Sequence, residues 1–119
     1  MIKFITNRIK SIGYAYKGAV LLITTEASIK VQLFIGILTT IAGFYFNISP
    51  TEWMIQIVTI GLVMSVEGVN TAIEKMADFI HPDFNDKIGF IKDIAAGAVF
   101  ICALVGVIIG LLIYIPKIF

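Results

Sequence analysis

Four polar residues follow a long uncharged run in this sequence. Residues 53–66 contain no charged side chain, and directly after them come Glu67, Asn70, Glu74 and Asp78. On a helix that advances 100° per residue, the three carboxylates fall within about 40° of one another, and Asn70 lies about 60° to one side. The spacing therefore predicts a single polar stripe on a helix that is otherwise apolar.

The depth of Glu67 gives this stripe a chemical meaning. If residues 53–73 cross a membrane, Glu67 lies roughly 9 Å inside the boundary at which the stripe ends, at 1.5 Å per residue. A carboxylate at that depth costs several kcal/mol unless it is paired, hydrated or protonated, so the usual interpretation is a functional group that faces protein or water. Such a group is suited to accept a proton. The alternative is that the stripe only ends the span among lipid headgroups, which fits Asp78 well, Glu74 moderately and Glu67 poorly.

Other ionisable residues are expected at the same boundary. Glu26 lies just before the first apolar span, and Lys92 and Asp93 open the third. Glu26 and Glu74 could supply oxygen ligands for Mg²⁺, whose remaining ligands would be water and substrate phosphates. Lys92 could neutralise phosphate charge. The sequence contains neither GxxxxGK[ST] nor GxGxxG, so the common soluble phosphate-binding loops are absent.

The composition indicates that lipid is the solvent of this chain. Of its 119 residues, 59% are hydrophobic and 14% are charged, whereas soluble domains carry about 25% charged residues. The net charge of +1 argues against a nucleic-acid partner. Three stretches are long enough to cross about 30 Å of hydrocarbon, namely residues 29–48, 53–73 and 94–115. They predict that residues 1–119 form a single all-α membrane domain.

The basic residues predict the orientation. Five of the nine precede or open the first span, and three lie between the second and third. The positive-inside rule therefore places the amino terminus, the 75–93 loop and the candidate site in the cytoplasm, so we expect a multi-pass protein of the cytoplasmic (inner) membrane. Lys117, near the carboxyl terminus, is the one basic residue that does not fit.

Residues 1–25 have the pattern of an amphipathic helix. Apolar side chains recur at steps of three and four, and Lys3, Lys10 and Lys17 recur every seven residues along one flank. This pattern predicts a surface helix in the cytoplasmic interface; the alternative is an ordinary amphipathic helix packed on protein.

The third span carries a face of small residues. Ala98, Cys102, Gly106 and Gly110 are spaced by four, and the two glycines form a GxxxG pair. Such faces allow close approach of helices in lipid. Since three helices leave little room to enclose a polar site, we expect a homo-oligomer.

Four segments together resemble one known family. They are GYAYKG (13–18), TEAS (25–28), EGVNTAIEKMAD (67–78) and KDIAAGAV (92–99). They resemble the small integral-membrane prokaryotic diacylglycerol kinases, which include undecaprenol kinases, over nearly the whole chain. The resemblance implies a homotrimer of three membrane helices and a surface helix. It further implies transfer of the γ-phosphate of ATP to a membrane lipid alcohol, with diacylglycerol favoured as the acceptor and undecaprenol as the alternative.

The resemblance also implies roles for individual residues. Glu67 would be the general base, and Glu26 and Glu74 would bind the Mg²⁺ ions that bridge the ATP phosphates. The expected nucleotide-binding group contains residues of the stripe and residues outside it: Tyr14, Glu26, Asn70, Glu74, Asp83, Phe84, Asn85, Lys92 and Asp93.

The sequence departs from the family pattern at three places. An arginine that is common in the family aligns with Asn7, and here Arg8 stands one position later. Tyr16 replaces a tryptophan found in some members, and PDFND replaces a more usual acidic-aromatic-His pattern. The last departure weakens the assignment of Asp83, Phe84 and Asn85 more than that of the carboxylates.

Two non-enzymatic functions compete with the kinase. An intramembrane Glu67 would also suit a subunit of a proton or cation pathway, although such a subunit would not need Glu26, Glu74 and Lys92 at one boundary. A structural subunit built on the Gly106 face would leave Glu67 without a function.

Overall fold

Four α-helices make up the computed structural model, which describes residues 1–119. In chain order they are α1 (Ile2–Thr25), α2 (Ala27–Tyr45), α3 (Pro50–Ile80) and α4 (Asp86–Ile118). The last three are long and apolar enough to cross a membrane. The predicted all-α architecture with three candidate spans is therefore confirmed, and the amino-terminal segment is helical as expected.

Each helix boundary has a local cause. Asn47 adopts a left-handed φ of 52°, which asparagine tolerates, and this turn ends α2 earlier than the apolar run that extends to Ile48. Ser49 then caps α3 in a reciprocal capping box with Glu52. At the other end of α3, His81 precedes Pro82, which disfavours helical backbone.

The helices α3 and α4 extend beyond the predicted spans. The charged part of α3 continues the helix to Ile80, because alanine, glutamate, lysine and methionine are good helix formers. Asn85 caps α4 by accepting a hydrogen bond from the Lys87 amide at 2.9 Å. At 1.5 Å per residue, α3 and α4 are roughly 46 and 50 Å long, which exceeds the 30 Å hydrocarbon core.

The three candidate spans form an antiparallel bundle with α3 in contact with both neighbours. Gly36 of α2 approaches Ile60 of α3, and Gly106 of α4 faces Thr59 and Val63 of α3. Of the GxxxG pair, Gly106 packs within the chain, because the short 81–85 connection makes α3 and α4 neighbours, whereas a methyl group at Gly110 would meet no atom within 4 Å.

One extended residue, Glu26, separates helix α1 from the first helix of the bundle. Glu26 has φ −100° and ψ 117°, and no residue of α1 is buried. The protomer measures 51 × 48 × 22 Å with a radius of gyration of 17.9 Å, against about 13.5 Å for a compact domain of this length. The chain is therefore flat and open, and most of its apolar side chains are exposed.

A polar cluster joins the three spans at the end of the bundle far from Glu26. The Tyr114 hydroxyl donates to Gln56 Oε1 at 2.5 Å and lies 3.0 Å from the Thr39 carbonyl oxygen, which accepts from Gln56 Nε2 at 3.1 Å. The Lys117 ammonium donates to Glu52 at 2.9 Å. Lys117, the basic residue that disagreed with the predicted orientation, is therefore neutralised by a partner.

Candidate active site

The polar stripe predicted on α3 runs from the interior of the bundle to its surface. Glu67 and Asn70 are buried, with 8% and 7% of their surface exposed, whereas Glu74 and Asp78 are exposed. Gly68 allows Leu22 of α1 to approach this part of α3, because a Cβ there would lie 3.0 Å from Leu22 Cδ1. The stripe therefore has a deep part and an accessible part.

Asn70 connects the two parts. Its Nδ2 donates to Glu74 Oε1 at 3.2 Å. A carboxylate only accepts hydrogen bonds, so this contact fixes the amide with Oδ1 turned away from Glu74. That oxygen is buried without a partner, which makes it an available acceptor beside the two carboxylates.

The junction between α1 and α2 brings Glu26 to the same end of the bundle. Lys75, the residue after Glu74, has its Nζ 3.4 Å from Glu26 Oε1. The Glu26 side chain is 24% exposed. The structure thus places both predicted metal ligands at one end of the bundle, Glu26 between α1 and α2 and Glu74 on α3.

Lys92 approaches the stripe from α4. Its ammonium donates to Asp78 Oδ1 at 2.5 Å. The sequence suggested that Asp78 only solvates the end of a span, but the structure makes it the ion-pair partner of Lys92. Asp93 is exposed beside this pair.

The connection between α3 and α4 is exposed. Phe84 is 85% exposed, although one edge of its ring is near Gly89. The Asp83 carbonyl is 2.7 Å from His81 Nδ1. The Asn85 side chain caps α4, so its oxygen has a structural function in this structure.

Tyr14 stands apart from the other expected site residues. It is 74% exposed on α1 and precedes Glu26 by twelve residues, or roughly 18 Å along a helix. Arg8, which stands next to the usual arginine position, lies over the Phe4 ring at 5.4 Å from its centroid. One chain therefore gathers the carboxylates and Lys92 but not Tyr14.

Sequence spacing missed the two ion-pair partners, Lys75 and Asp78. Both lie on the exposed side of the charged end of α3, where charged residues are most often simply solvated. The one available signal was that each stands within four residues of Glu74, a predicted ligand.

The arrangement is chemically suited to phosphoryl transfer at a membrane surface. A buried carboxylate can take a proton from an alcohol, and accessible carboxylates can hold a hard cation. A lysine beside them can meet phosphate charge.

Comparison with known proteins agrees with this chemistry. A family model described as prokaryotic diacylglycerol kinase matches residues 13–114. The undecaprenol kinase of Bacillus subtilis is 38% identical over 91% of this chain and 88% of its own length. The diacylglycerol kinase of Escherichia coli K12 is 30% identical over 87% of this chain and 84% of its own length. The chain therefore belongs to the prokaryotic diacylglycerol kinase family of membrane lipid kinases.

Proposed function

We propose that this lipid kinase transfers the γ-phosphate of ATP to the hydroxyl of undecaprenol or diacylglycerol at the end of the bundle that carries Glu26, Glu67 and Glu74. The observation that carries the proposal is the gradient of burial along α3. Glu67 is 8% exposed and Glu74 is accessible, so a lipid hydroxyl and a water-soluble nucleotide can approach the same stripe from opposite sides.

Glu67 is the proposed general base. Its carboxylate forms none of the side-chain hydrogen bonds or ion pairs made by its neighbours Asn70, Glu74 and Asp78, so its lone pairs are free to accept a proton. As the lipid oxygen bonds to the γ-phosphorus, the bond from that phosphorus to the β,γ-bridging oxygen breaks and ADP leaves. The hydroxyl proton passes to Glu67.

Glu26 and Glu74 are the proposed ligands of Mg²⁺. Both offer carboxylate oxygens, and the orphaned Asn70 Oδ1 adds a third hard donor nearby, which is the donor chemistry that Mg²⁺ prefers. Bound Mg²⁺ would neutralise charge on the phosphates. Within the chain, Asn70 holds the Glu74 carboxylate through its Nδ2 hydrogen bond.

Lys92, Asp93 and the 83–85 loop are the proposed nucleotide contacts at the mouth of the site. Tyr14 belongs to this group only by resemblance, because α1 carries it away from the site within one chain. We therefore also propose a homotrimer, in which the α1 helix of a neighbouring copy could bring its tyrosine to the nucleotide. The open, flat shape of the protomer supports such an assembly.

The cytoplasmic location of the site and the interfacial position of α1 are parts of the same proposal. The exposed apolar stripe of α1 supports the second, since its isoleucines Ile2, Ile5, Ile9 and Ile12 are between 50% and 81% exposed. In the interface these side chains would enter the acyl boundary.

Undecaprenol is the acceptor to test first. The sequence resemblance alone favoured diacylglycerol, but the relative named undecaprenol kinase has the higher identity, 38% against 30% for the E. coli relative named diacylglycerol kinase. Diacylglycerol is retained as the second candidate because both relatives cover most of the chain.

The decisive experiment measures phosphate transfer in lipid nanodiscs. Purified protein receives γ-labelled ATP with Mg²⁺ and either undecaprenol or diacylglycerol, and initial rates are compared. The proposal expects transfer to one or both alcohols; transfer to neither would refute it.

Substitutions then test the assigned roles. We expect Glu67→Gln to lower the turnover rate at least about 100-fold, the usual contribution of a general base, while ATP binding stays near that of the wild type. Glu26→Ala and Glu74→Ala should instead weaken Mg-ATP binding. Glu52→Gln, the same kind of change at the opposite end of the bundle, is the control. A Glu67→Gln variant within tenfold of the wild-type rate would show that Glu67 is not the base.

A further inference from the structure

The Glu26 carboxylate is already engaged by a cation from its own chain. Lys75 Nζ lies 3.4 Å from Glu26 Oε1, and it approaches from α3, one residue after Glu74. The ion pair therefore bridges the two halves of the proposed metal site, the α1–α2 junction and the exposed end of α3.

An ammonium and a divalent cation cannot use this carboxylate independently. Mg²⁺ binds oxygen at about 2.0–2.1 Å in a strict octahedral arrangement, and the ammonium lies 3.4 Å from Glu26 Oε1, so the two cations would be neighbours on one carboxylate. Cations at such separations repel each other even near a protein surface. Metal binding is therefore favoured when Lys75 moves away.

Lys75 is placed to leave easily. Its side chain is 70% exposed while that of Glu26 is only 24% exposed. An exposed lysine has a flexible stem and a well-hydrated ammonium, so it can exchange the carboxylate for water without a rearrangement of the helices.

We propose that Lys75 is an intramolecular competitor of the divalent cation at Glu26. In the metal-free chain it neutralises this carboxylate beside Glu74, and it thereby sets the cation concentration at which the site fills. The inference rests on the proposed function, since it takes Glu26 to be a metal ligand.

Lys30 provides a matched control. It stands four residues after Glu26, a spacing at which helical side chains can meet, yet the ion pair of Glu26 is with Lys75. Substitution of Lys30 therefore removes one positive charge near Glu26 without removing an ion pair.

Direct binding of Mn²⁺ tests the competition. Full-length protein in lipid nanodiscs is titrated with Mn²⁺ in the presence of a non-hydrolysable ATP analogue, and free Mn²⁺ is measured by electron paramagnetic resonance. Since an exposed ion pair is weak, Lys75→Met should lower the Mn²⁺ Kd by about two- to fivefold. Lys75→Gln should act in the same direction, and Lys30→Met should have less than half the effect.

A double substitution makes the assignment specific. In a Glu26→Gln background, Lys75→Met should no longer change the Kd, because the carboxylate for which the two cations compete is gone. An unchanged or higher Kd in Lys75→Met, an equal effect of Lys30→Met, or wild-type Mn²⁺ binding no tighter than that of Glu26→Gln would each overturn the proposal.

The outcome is separable from that of the proposed function. Transfer of phosphate to a lipid alcohol is measured on the same wild-type preparation. Transfer without the expected shift in Kd refutes the competition alone, whereas the expected shift without transfer supports the competition and refutes the proposed reaction.

Discussion

Gly43 of α2 lies against the indole ring of Trp53 on α3, and replacing this glycine by alanine should destabilise the bundle. A methyl group at Gly43 would lie 2.6 Å from Cη2 and 2.8 Å from Cζ2 of Trp53, and 3.1 Å from Cδ1 of Ile48. Carbon atoms in good contact are about 3.5–4.0 Å apart. The ring would therefore have to move by about 1 Å, and it also packs against Phe44, at 4.8 Å between ring centroids.

Two opposing terms set the expected size of the effect. Inserting a methyl group into a packed contact costs about 1–3 kcal/mol, and alanine favours a helix over glycine by up to about 1 kcal/mol. The net loss at Gly43 should be up to about 2 kcal/mol. Gly110→Ala is the control, because a methyl there would meet no atom within 4 Å. Gly110 lies one turn before Tyr114, whose hydroxyl contacts Thr39 of α2 at the same end of the bundle.

Unfolding of the two variants in detergent micelles measures the difference. Trp53 is the only tryptophan, so its fluorescence follows both unfolding and the local displacement of the ring. We expect Gly43→Ala to be less stable than Gly110→Ala by about 1–3 kcal/mol, the overpacking cost alone. If Gly43→Ala is as stable as the control, the close contact with Trp53 does not exist in the folded protein.

Two further predictions concern the polar cluster at this end of the bundle. Tyr114→Phe leaves Gln56 Oε1 without its hydroxyl partner, so it should lower the free energy of unfolding by about 1–3 kcal/mol. The KM for ATP should not change. An unfolding transition equal to that of the wild type would contradict this prediction. The hydrogen bond from Lys117, with that from the Ser49 backbone, lowers the pKa of Glu52 below its ordinary value of 4.5. The stability gained is complete above pH 4.5 and is lost as the pH falls through the lower folded-state pKa. Lys117→Met should therefore weaken the loss of stability measured between pH 5 and pH 3, and an unchanged pH profile would show that the pair contributes nothing.

The main features of the fold could be predicted because lipid imposes a simple rule on the sequence. A span needs about 20 apolar residues; residues 94–115 form a charge-free run of that length, and the charge-free run 53–66 continues into a helix with few charges. The depth of Glu67 followed from the same rule. Within the chain, Glu67 is buried and Glu74 is exposed, while the depth of either residue in a membrane stays a prediction.

Helix ends and ion pairs could not be predicted in the same way. Hydropathy locates the ends of an apolar span, but a helix continues as long as its backbone hydrogen bonds do. It therefore did not predict that α3 continues to Ile80 or that α4 begins at Asp86. The partners of Lys75 and Lys92 depend on which side chains meet across helices, which spacing along one helix does not determine. For the same reason the spacing of Gly106 and Gly110 predicted a close approach of helices but did not identify Thr59 and Val63 of α3 as the neighbours of Gly106.

Glu26 is the single residue between α1 and α2, so its backbone couples the angle between these helices to the orientation of its carboxylate. Its amide is still bonded to Leu22 and its carbonyl accepts from the Lys30 amide, so the residue is held from both sides while its extended backbone sets the angle between the helices. A change in the angle between α1 and α2 would therefore turn the carboxylate that is proposed to hold the metal. If α1 lies in the membrane interface, as we propose, lipid packing and surface charge would act on this angle and, through Glu26, on the rate at which the enzyme uses ATP.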